Sequence, residues 1–292
     1  MGHSEVFGRE VEIRIANRAE KLRAGEKIAA VDERGWHAEA PVGASYAVAT
    51  RHPKFLKAKM TYSNHRIGIL GGAGPLASAE FHKRLIELAA TEWGAFQDSE
   101  YPEVVHVSHG YPGLTEAGLV NMAAARDTVT HSVEFLKNAG CRHVAVPCNS
   151  LHAFIPELRE QFGELVLDMI DATAGYVAKS APDRPVLVLG SGSTREGGLY
   201  DGALAARGLS RLAPDESTQS RTNALIAGVM LHGASEGLDA ALSELIREVA
   251  APTTSVILGC TELSLIRPRG VPNPVFDSTT ALAHATLGAL AG

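Results

Sequence analysis

The sequence predicts an α/β fold of two pseudo-symmetric lobes, each a mainly parallel sheet flanked by helices. From Arg66 onward, short runs of Val, Ile and Leu alternate with segments of helix length, which is the pattern of parallel strands covered by helices on both faces. A strand followed by a Gly-rich turn occurs twice, and a strand followed by a cysteine also occurs twice. This duplicated order predicts two similar lobes, with the active site in the cleft between them.

The individual elements follow from these runs. The first strand is the apolar segment 67–70, and the Gly-rich turn after it leads into a helix through Phe81, Leu85 and Leu88. Further β-branched runs predict the later strands, at 104–107, 144–146, 165–167, 186–189 and 256–258. Apolar residues at helical spacing predict helices between them, for example over 128–138 and 240–249.

Three segments are predicted from this order. Residues 1–65 are an N-terminal extension with a net positive charge, whereas the rest of the chain is net negative. Residues 66–171 together with 274–292 form the first lobe, which carries Cys148. Residues 172–273 form the second lobe, which carries Cys260.

Composition restricts the class of protein. The chain has 292 residues, a net charge of −6 and a pI of about 6.1, which gives no electrostatic reason to expect nucleic acid or an anionic membrane as a partner. No apolar run approaches the roughly 18–20 residues that span a bilayer. Three cysteines do not suggest a disulfide framework. We therefore expect a cytoplasmic protein with reduced thiols.

The two cysteines after strands carry most of the functional information. Cys148 stands in the segment 147–152, PCNSLH, and Cys260 in the segment 259–262, GCTE. Each follows a buried strand, at the edge where open α/β sheets place their sites. Two thiols facing one another across a cleft suit proton exchange at a carbon acid, one as base and the other as acid on the opposite face. This arrangement predicts a racemase that needs no cofactor.

Their neighbours and the Gly-rich turns are candidate binding groups. Asn149, Ser150 and Thr261 offer hydrogen bonds beside the thiols, and helix N-termini beginning there would lower the thiol pKa. The turns around Gly72, Gly74 and Ser193 offer free N–H groups to a carboxylate. The roles of His152 and Glu262 stay open between structural and functional, and Cys141 is predicted to be a packed core residue.

Other readings of these motifs are less well supported. The first Gly-rich turn lacks G-x-G-x-x-G spacing and an acidic residue about 20 positions later, which argues against a dinucleotide. No C-x-x-C or paired histidine spacing indicates zinc. A Cys-His protease would leave the second cysteine without a role.

At these motifs the chain resembles the aspartate/glutamate racemase family, from Arg66 to about Ala283. The segment 67–78, IGILGGAGPLAS, resembles the family's opening GGMGP(L)AT motif, and the two cysteine segments resemble its PCNTAH and GCTE motifs. The resemblance implies two pseudo-symmetric lobes, Cys148 and Cys260 as the acid/base pair, no pyridoxal phosphate and a homodimer. It also implies a small amino acid as substrate.

Two departures from the family pattern concern the side-chain end of the substrate. Where the family has Pro-Asp-Arg-Thr, this chain has Leu114 followed by Thr115, and where it has Gly-Val-Lys, this chain has Met230. Burying a second carboxylate without either cation would cost several kcal/mol. The departures therefore predict a substrate whose side chain is neutral or apolar.

Three alternatives remain. An aspartate or glutamate racemase could recover an anion site from elsewhere in the chain, with Arg195, His109 and His232 as candidates. A related two-lobed enzyme could isomerise or decarboxylate small acids, although both thiols are retained. A ligand-binding protein on the same scaffold could lack catalysis altogether.

Overall fold

The computed structural model describes residues 66–115 and 118–291. The strands are β1 (Ile67–Gly71), β2 (Val104–Ser108), β3 (Leu114–Thr115), β4 (Gly118–Leu119), β5 (His143–Ala145), β6 (Val186–Gly190), β7 (Arg211–Leu212), β8 (Ser255–Gly259) and β9 (Val275–Asp277). The helices are α1 (Pro75–Glu92), α2 (Met122–Asn138), α3 (Ile155–Phe162), α4 (Met169–Ser180), α5 (Gly192–Glu196), α6 (Asp201–Ala205), α7 (Glu216–His232), α8 (Glu236–Val249) and α9 (Ser278–Ala291). The predicted extension, residues 1–65, lies outside the described residues.

The first sheet has β1 at its centre, between β2 and β5, and both pairings are parallel. Every residue of β1 is buried, which explains its continuous apolar run: a central parallel strand is covered on both faces. Because the strands run in the same direction, the turns after β1 and β5 emerge at the same edge of the sheet. The turn after β1 contains Gly72 and Gly74, and the turn after β5 contains Cys148.

The second sheet repeats this arrangement with the order β7-β6-β8-β9, again all parallel. Both β6 and β8 are buried throughout and pair from Val186 opposite Ser255 to Gly190 opposite Gly259. The turn after β6 begins at Ser191, and Cys260 follows β8 directly. In each sheet, a central strand leads to a Gly-containing turn and its neighbour leads to a cysteine.

Helices complete the cores beside the sheets. The C-terminal helix α9 packs against α1 and α4, and its Leu282 and Leu287 share a buried cluster with Phe81 and Ile67. On the second sheet, Leu245 of α8 packs in a cluster with Val256. Each fully buried side chain of this size stabilises the fold by roughly 1.5–3 kcal/mol. No helix among the described residues has the length and apolar character needed to cross a membrane.

Some predicted elements differ from the structure. Residues 165–167 are not a strand: Val166 makes a single parallel bridge to Val144, because a 3₁₀ turn occupies Gly163–Leu165. Strand β9 was not predicted, since three residues give no readable periodicity. It pairs with β8, so residues 275–277 belong to the sheet that precedes Cys260, whereas the sequence assigns 274–292 to the first lobe. The other lobe boundaries stay predictions.

Candidate active site

One cavity lies where the strand ends of the two sheets meet. Its volume is about 250 Å³, which is below the roughly 300–1,000 Å³ of pockets for drug-sized ligands and suits a small molecule. Cys148 and Cys260 both line it. Its other lining residues are Gly72, Ala73, Gly74, Pro75, Leu76, Ala77, Tyr111, Leu114, Thr115, Gly118, Asn149, Ser150, Ser191, Ile226, Val229, Met230, Thr261, Glu262 and Leu265.

The Cys148 turn is held by a buried histidine. The Cys148 N–H donates to the carbonyl of Val146 at 2.8 Å, and a 3₁₀ helix begins at Ser150. His152 Nε2 accepts from the N–H of Met169 at 2.9 Å, so Nδ1 carries the proton and donates to the Cys148 carbonyl at 2.8 Å. Burial lowers the pKa of His152, which is consistent with this neutral form. His152 is therefore a structural support for the cysteine and not a cavity-lining residue.

The second thiol is paired with a carboxylate. Cys260 Sγ lies 2.9 Å from Glu262 Oε2 and donates to it. The other oxygen of the same carboxylate lies against Gly74, where an added Cβ would collide with Oε1. Gly74 also has a positive φ of 81°, a conformation that favours glycine. Glu262 thus spans the cavity from the Cys260 turn to the Gly-rich turn after β1.

Burial and the carboxylate of Glu262 disfavour the thiolate form of both cysteines. Burial and then the charge of Glu262 raise the pKa of Cys148 to about 12. Burial, followed by the charge and hydrogen bond of Glu262, raises the pKa of Cys260 well above its usual value. The N–H groups of Ser150 and Leu151 hydrogen-bond the Cys148 sulfur and lower its pKa, but by less than burial raises it. The backbone N–H groups at both turns therefore lower the thiol pKa values as expected, but burial outweighs them and the net shift of both is upward.

Nearly all predicted site residues meet in this cavity. Cys148, Cys260, Gly72, Gly74, Asn149, Ser150, Thr261, Glu262, Leu114, Thr115 and Met230 line it. Ser193 does not, and its hydroxyl donates to Ser150 Oγ at 3.0 Å. The side chain of Asn149 is also largely occupied, since its Oδ1 accepts from Tyr200 at 2.6 Å and its Nδ2 donates to Ser278 at 3.0 Å.

Sequence reasoning missed several lining residues. Ile226 and Val229 stand on α7 beside Met230, and the spacing i, i+3, i+4 places them on one helical face. This helical periodicity around Met230 is a signal that the sequence offers. Tyr111 shares a turn with Leu114, whose N–H donates to the Tyr111 carbonyl at 3.2 Å. Nothing in the sequence distinguished Tyr111 from a core aromatic.

The charge in the lining is one-sided. The lining formed by residues 66–115 and 118–291 contains the carboxyl group of Glu262 and no Lys, Arg or His. Arg195 lines a different, very small cavity with Arg211, and His109 Nδ1 is bonded to Ser132 Oγ at 2.8 Å. The described part of the chain also has no group of three His, Cys, Asp or Glu side chains placed to hold a metal ion.

A family model described as Asp/Glu/Hydantoin racemase matches residues 70–286. The chain belongs to this family. The match confirms the resemblance drawn from the cysteine and glycine motifs, and it makes the chain an isomerase of the racemase type, as predicted. The matched range begins within β1 and ends in α9, so it contains all the other strands and the whole cavity lining.

Individual relatives agree with this family. RacX of Bacillus subtilis (strain 168), named a broad specificity amino-acid racemase, is 24% identical over 222 residues, which are 76% of this chain and 96% of RacX. The structure of Picrophilus torridus aspartate racemase is 25% identical with a TM-score of 0.67 and covers 77% of this chain and 94% of its own. Glutamate racemase from Thermus thermophilus, solved with Beta-chloro-D-alanine, is 21% identical with a TM-score of 0.54 over 78% of this chain and 80% of its own. These similarities confirm the α/β fold.

Proposed function

We propose that this racemase acts on an amino acid with a neutral side chain, and that Cys148 and Cys260 exchange its Cα proton from opposite faces without a cofactor. The observation that carries the proposal is one small cavity lined by both thiols, by apolar side chains and by a single carboxylate. Each thiol follows a strand of a different sheet. Two acid/base groups delivered from two sheets can approach one stereocentre from two sides.

The substrate itself supplies the charge that activates a thiol. Burial and Glu262 disfavour the thiolate at both sites. The α-ammonium of an amino acid brings a positive charge into a cavity whose described lining has none, and a nearby positive charge lowers a thiol pKa. Thiolate formation is then coupled to substrate binding, which protects the empty enzyme from reactions of a free thiolate.

The proton transfers balance within this set of groups. Glu262 accepts the Cys260 proton along the 2.9 Å hydrogen bond, and the resulting thiolate removes the proton from Cα. The electron pair left at Cα spreads into the α-carboxylate, and the Cys148 thiol delivers its proton to the opposite face. One turnover leaves Glu262 protonated and Cys148 as a thiolate, so Glu262 releases its proton to solvent and Cys148 takes one up to restore the starting state. Catalysis in the other direction uses the same groups in reverse order.

The α-carboxylate has donors at the two cysteine turns. Ser150 and Thr261 line the cavity with buried hydroxyl groups, and the backbone around Gly72 contributes N–H groups. Because Gly72 has a φ of 97° and a Cβ there would collide with the His109 backbone, only glycine allows this close approach. Donors aimed at the carboxylate stabilise the negative charge that develops as the Cα proton leaves.

We infer that the substrate side chain is neutral from the residues that line the part of the cavity beyond the α-carboxylate. Leu114, Ile226 and Met230 line it, and the candidate anion groups Arg195, His109 and His232 do not. The side-chain carboxylate of aspartate or glutamate would be desolvated near Glu262, and no cation stands among the described lining residues. Burying it there costs several kcal/mol. This comparison favours a neutral substrate over aspartate or glutamate.

A panel of amino acids in D₂O tests the proposal. We expect deuterium at Cα of the product enantiomer for neutral amino acids, with kcat/KM for aspartate and glutamate lower by at least about tenfold, or 1.4 kcal/mol. Faster turnover of aspartate or glutamate would favour the alternative with a relocated anion site. A ligand that binds without any deuterium exchange would indicate a non-catalytic binding protein, and loss of CO₂ a decarboxylase.

Replacing Glu262 with Gln should move the pH dependence of kcat/KM. The carboxylate raises the pKa of both thiols, so removing its charge lowers both values. The alkaline rise of kcat/KM, which reports ionisation in the free enzyme, should therefore shift to lower pH, and the maximal rate should fall because Cys260 then loses its proton to solvent and not to Glu262. Measured pH profiles of the wild type and of Glu248→Gln, an exposed carboxylate paired with Arg221 outside the cavity, provide the comparison. An unchanged profile for Glu262→Gln would contradict the assigned role.

The homodimer and the cytoplasmic location implied at the level of sequence stay predictions. Sedimentation of the full chain tests the first.

A further inference from the structure

A series of buried hydrogen bonds runs from the Cys148 turn to the strand before Cys260. The Tyr200 hydroxyl donates to Asn149 Oδ1 at 2.6 Å, Asn149 Nδ2 donates to Ser278 Oγ at 3.0 Å, and the Ser278 hydroxyl donates to the Leu258 carbonyl at 2.8 Å. Tyr200, Asn149 and Ser278 are at most 2% exposed. We call this series the Asn149 relay.

The donor and acceptor roles along the Asn149 relay follow from its last acceptor, the Leu258 carbonyl. A backbone carbonyl can only accept a hydrogen bond, so the Ser278 hydroxyl must donate to the Leu258 carbonyl. Its oxygen therefore accepts from Asn149. The amide therefore presents Nδ2 to Ser278 and leaves Oδ1 to accept from Tyr200. Every group has one possible role, and this fixes the orientation of Asn149 beside Cys148.

Tyr200 also touches the other cysteine turn. A Cβ added at Gly259, the residue before Cys260, would lie 3.3 Å from Tyr200 Cε2 and 2.9 Å from Val188 Cγ1. The Tyr200 ring therefore packs closely over the Gly259 backbone while its hydroxyl holds Asn149. Tyr200 thus contacts Asn149 and Gly259, the residues next to the two cysteines. Ser278, at the start of α9, hydrogen-bonds the same two segments.

We propose that Tyr200 and Ser278 are positioning residues that set the separation of the two thiols across the cavity. The inference rests on the proposed two-thiol function. A racemase of this kind needs both sulfurs within reach of one Cα, and reacting atoms must lie about 3–3.5 Å apart. Neither Tyr200 nor Ser278 lines the cavity, so they act through Asn149 and through the end of β8.

The test compares racemisation with one-sided exchange. Racemisation needs both thiols at the right separation, whereas exchange of the Cα hydrogen in the unconverted enantiomer needs only one thiol. We expect Tyr200→Phe to lower racemisation by roughly tenfold to a hundredfold, the cost of misplacement by about 1 Å. Deuterium uptake into the unconverted enantiomer should fall less, so the ratio of uptake to racemisation rises.

Two further variants make the test specific. Ser278→Ala should give the same change in ratio, and the double variant should be little worse than either single one, because both break one relay. Tyr101→Phe is the matched control: its hydroxyl donates to the Ala95 carbonyl at 3.1 Å away from the cavity, and it should leave the ratio unchanged. Circular dichroism and a thermal melt report whether each variant is folded.

The outcomes separate the relay from the reaction. If Tyr200→Phe and Ser278→Ala keep the wild-type ratio, or lose both activities in equal proportion, the relay inference is wrong and the proposed function stands. If the wild type racemises no amino acid, the proposed function is wrong and the relay is refuted with it.

Discussion

Replacing Cys148 or Cys260 with serine should lower racemisation by roughly 10²- to 10⁴-fold, the usual contribution of a positioned acid or base. Serine keeps the size of the side chain but its hydroxyl does not ionise in the working pH range, so one face of Cα loses its proton carrier. The remaining thiol still contacts its own face. Each single variant should therefore still exchange deuterium slowly into the enantiomer whose Cα proton the remaining thiol reaches. The two variants should label opposite enantiomers.

Cys141→Ser is the matched control for this experiment. Cys141 is also a free and buried cysteine, but it belongs to the core cluster of the first sheet and does not line the cavity. Its replacement should leave the racemisation rate within about twofold, a change of less than 0.5 kcal/mol. Chiral separation of products formed in D₂O measures both enantiomers at once. Retained full activity in either Cys148→Ser or Cys260→Ser would contradict the two-thiol mechanism.

The parts of the site that could be predicted from sequence are local. Cys148 and Cys260 were identifiable because each follows a short apolar run, and a buried parallel strand produces such a run by itself. Gly72 and Gly74 were identifiable for a similar reason, since turns with positive φ select glycine. In these cases the sequence neighbours of a residue determine its environment.

The remaining features depend on contacts between distant segments. Tyr200 acts on Asn149, 51 positions earlier in the chain, and Ser278 connects α9 to both. No pattern within a short window shows such pairs. The net rise of both thiol pKa values has the same kind of cause, because burial outweighs the lowering by the local backbone N–H groups. Strand β9, with three residues, forms only because β8 is there to pair with it.

The second large effect should come from placing a cation at the side-chain end of the cavity. Leu114 lines the cavity and is half-buried, whereas Met230 lines it with 52% of its surface exposed. An arginine at 114 can form a charge-assisted hydrogen bond with a substrate carboxylate, worth about 1.5–3 kcal/mol. We therefore expect Leu114→Arg to raise kcat/KM for aspartate, relative to a neutral amino acid, by roughly 10- to 150-fold. Met230→Lys should act in the same direction but less, because its ammonium stays hydrated at the rim.

Leu212→Arg separates a local effect from a change in net charge. Leu212 is 39% exposed on the edge strand β7 and is not part of the cavity lining, so an arginine there adds the same charge without a substrate contact. Its ratio of aspartate to neutral turnover should match the wild type. The neutral amino acid should lose activity in Leu114→Arg, since the guanidinium needs a partner when it is desolvated. If Leu114→Arg leaves the ratio unchanged, position 114 does not face the substrate side chain, and the apolar lining cannot be the cause of selectivity.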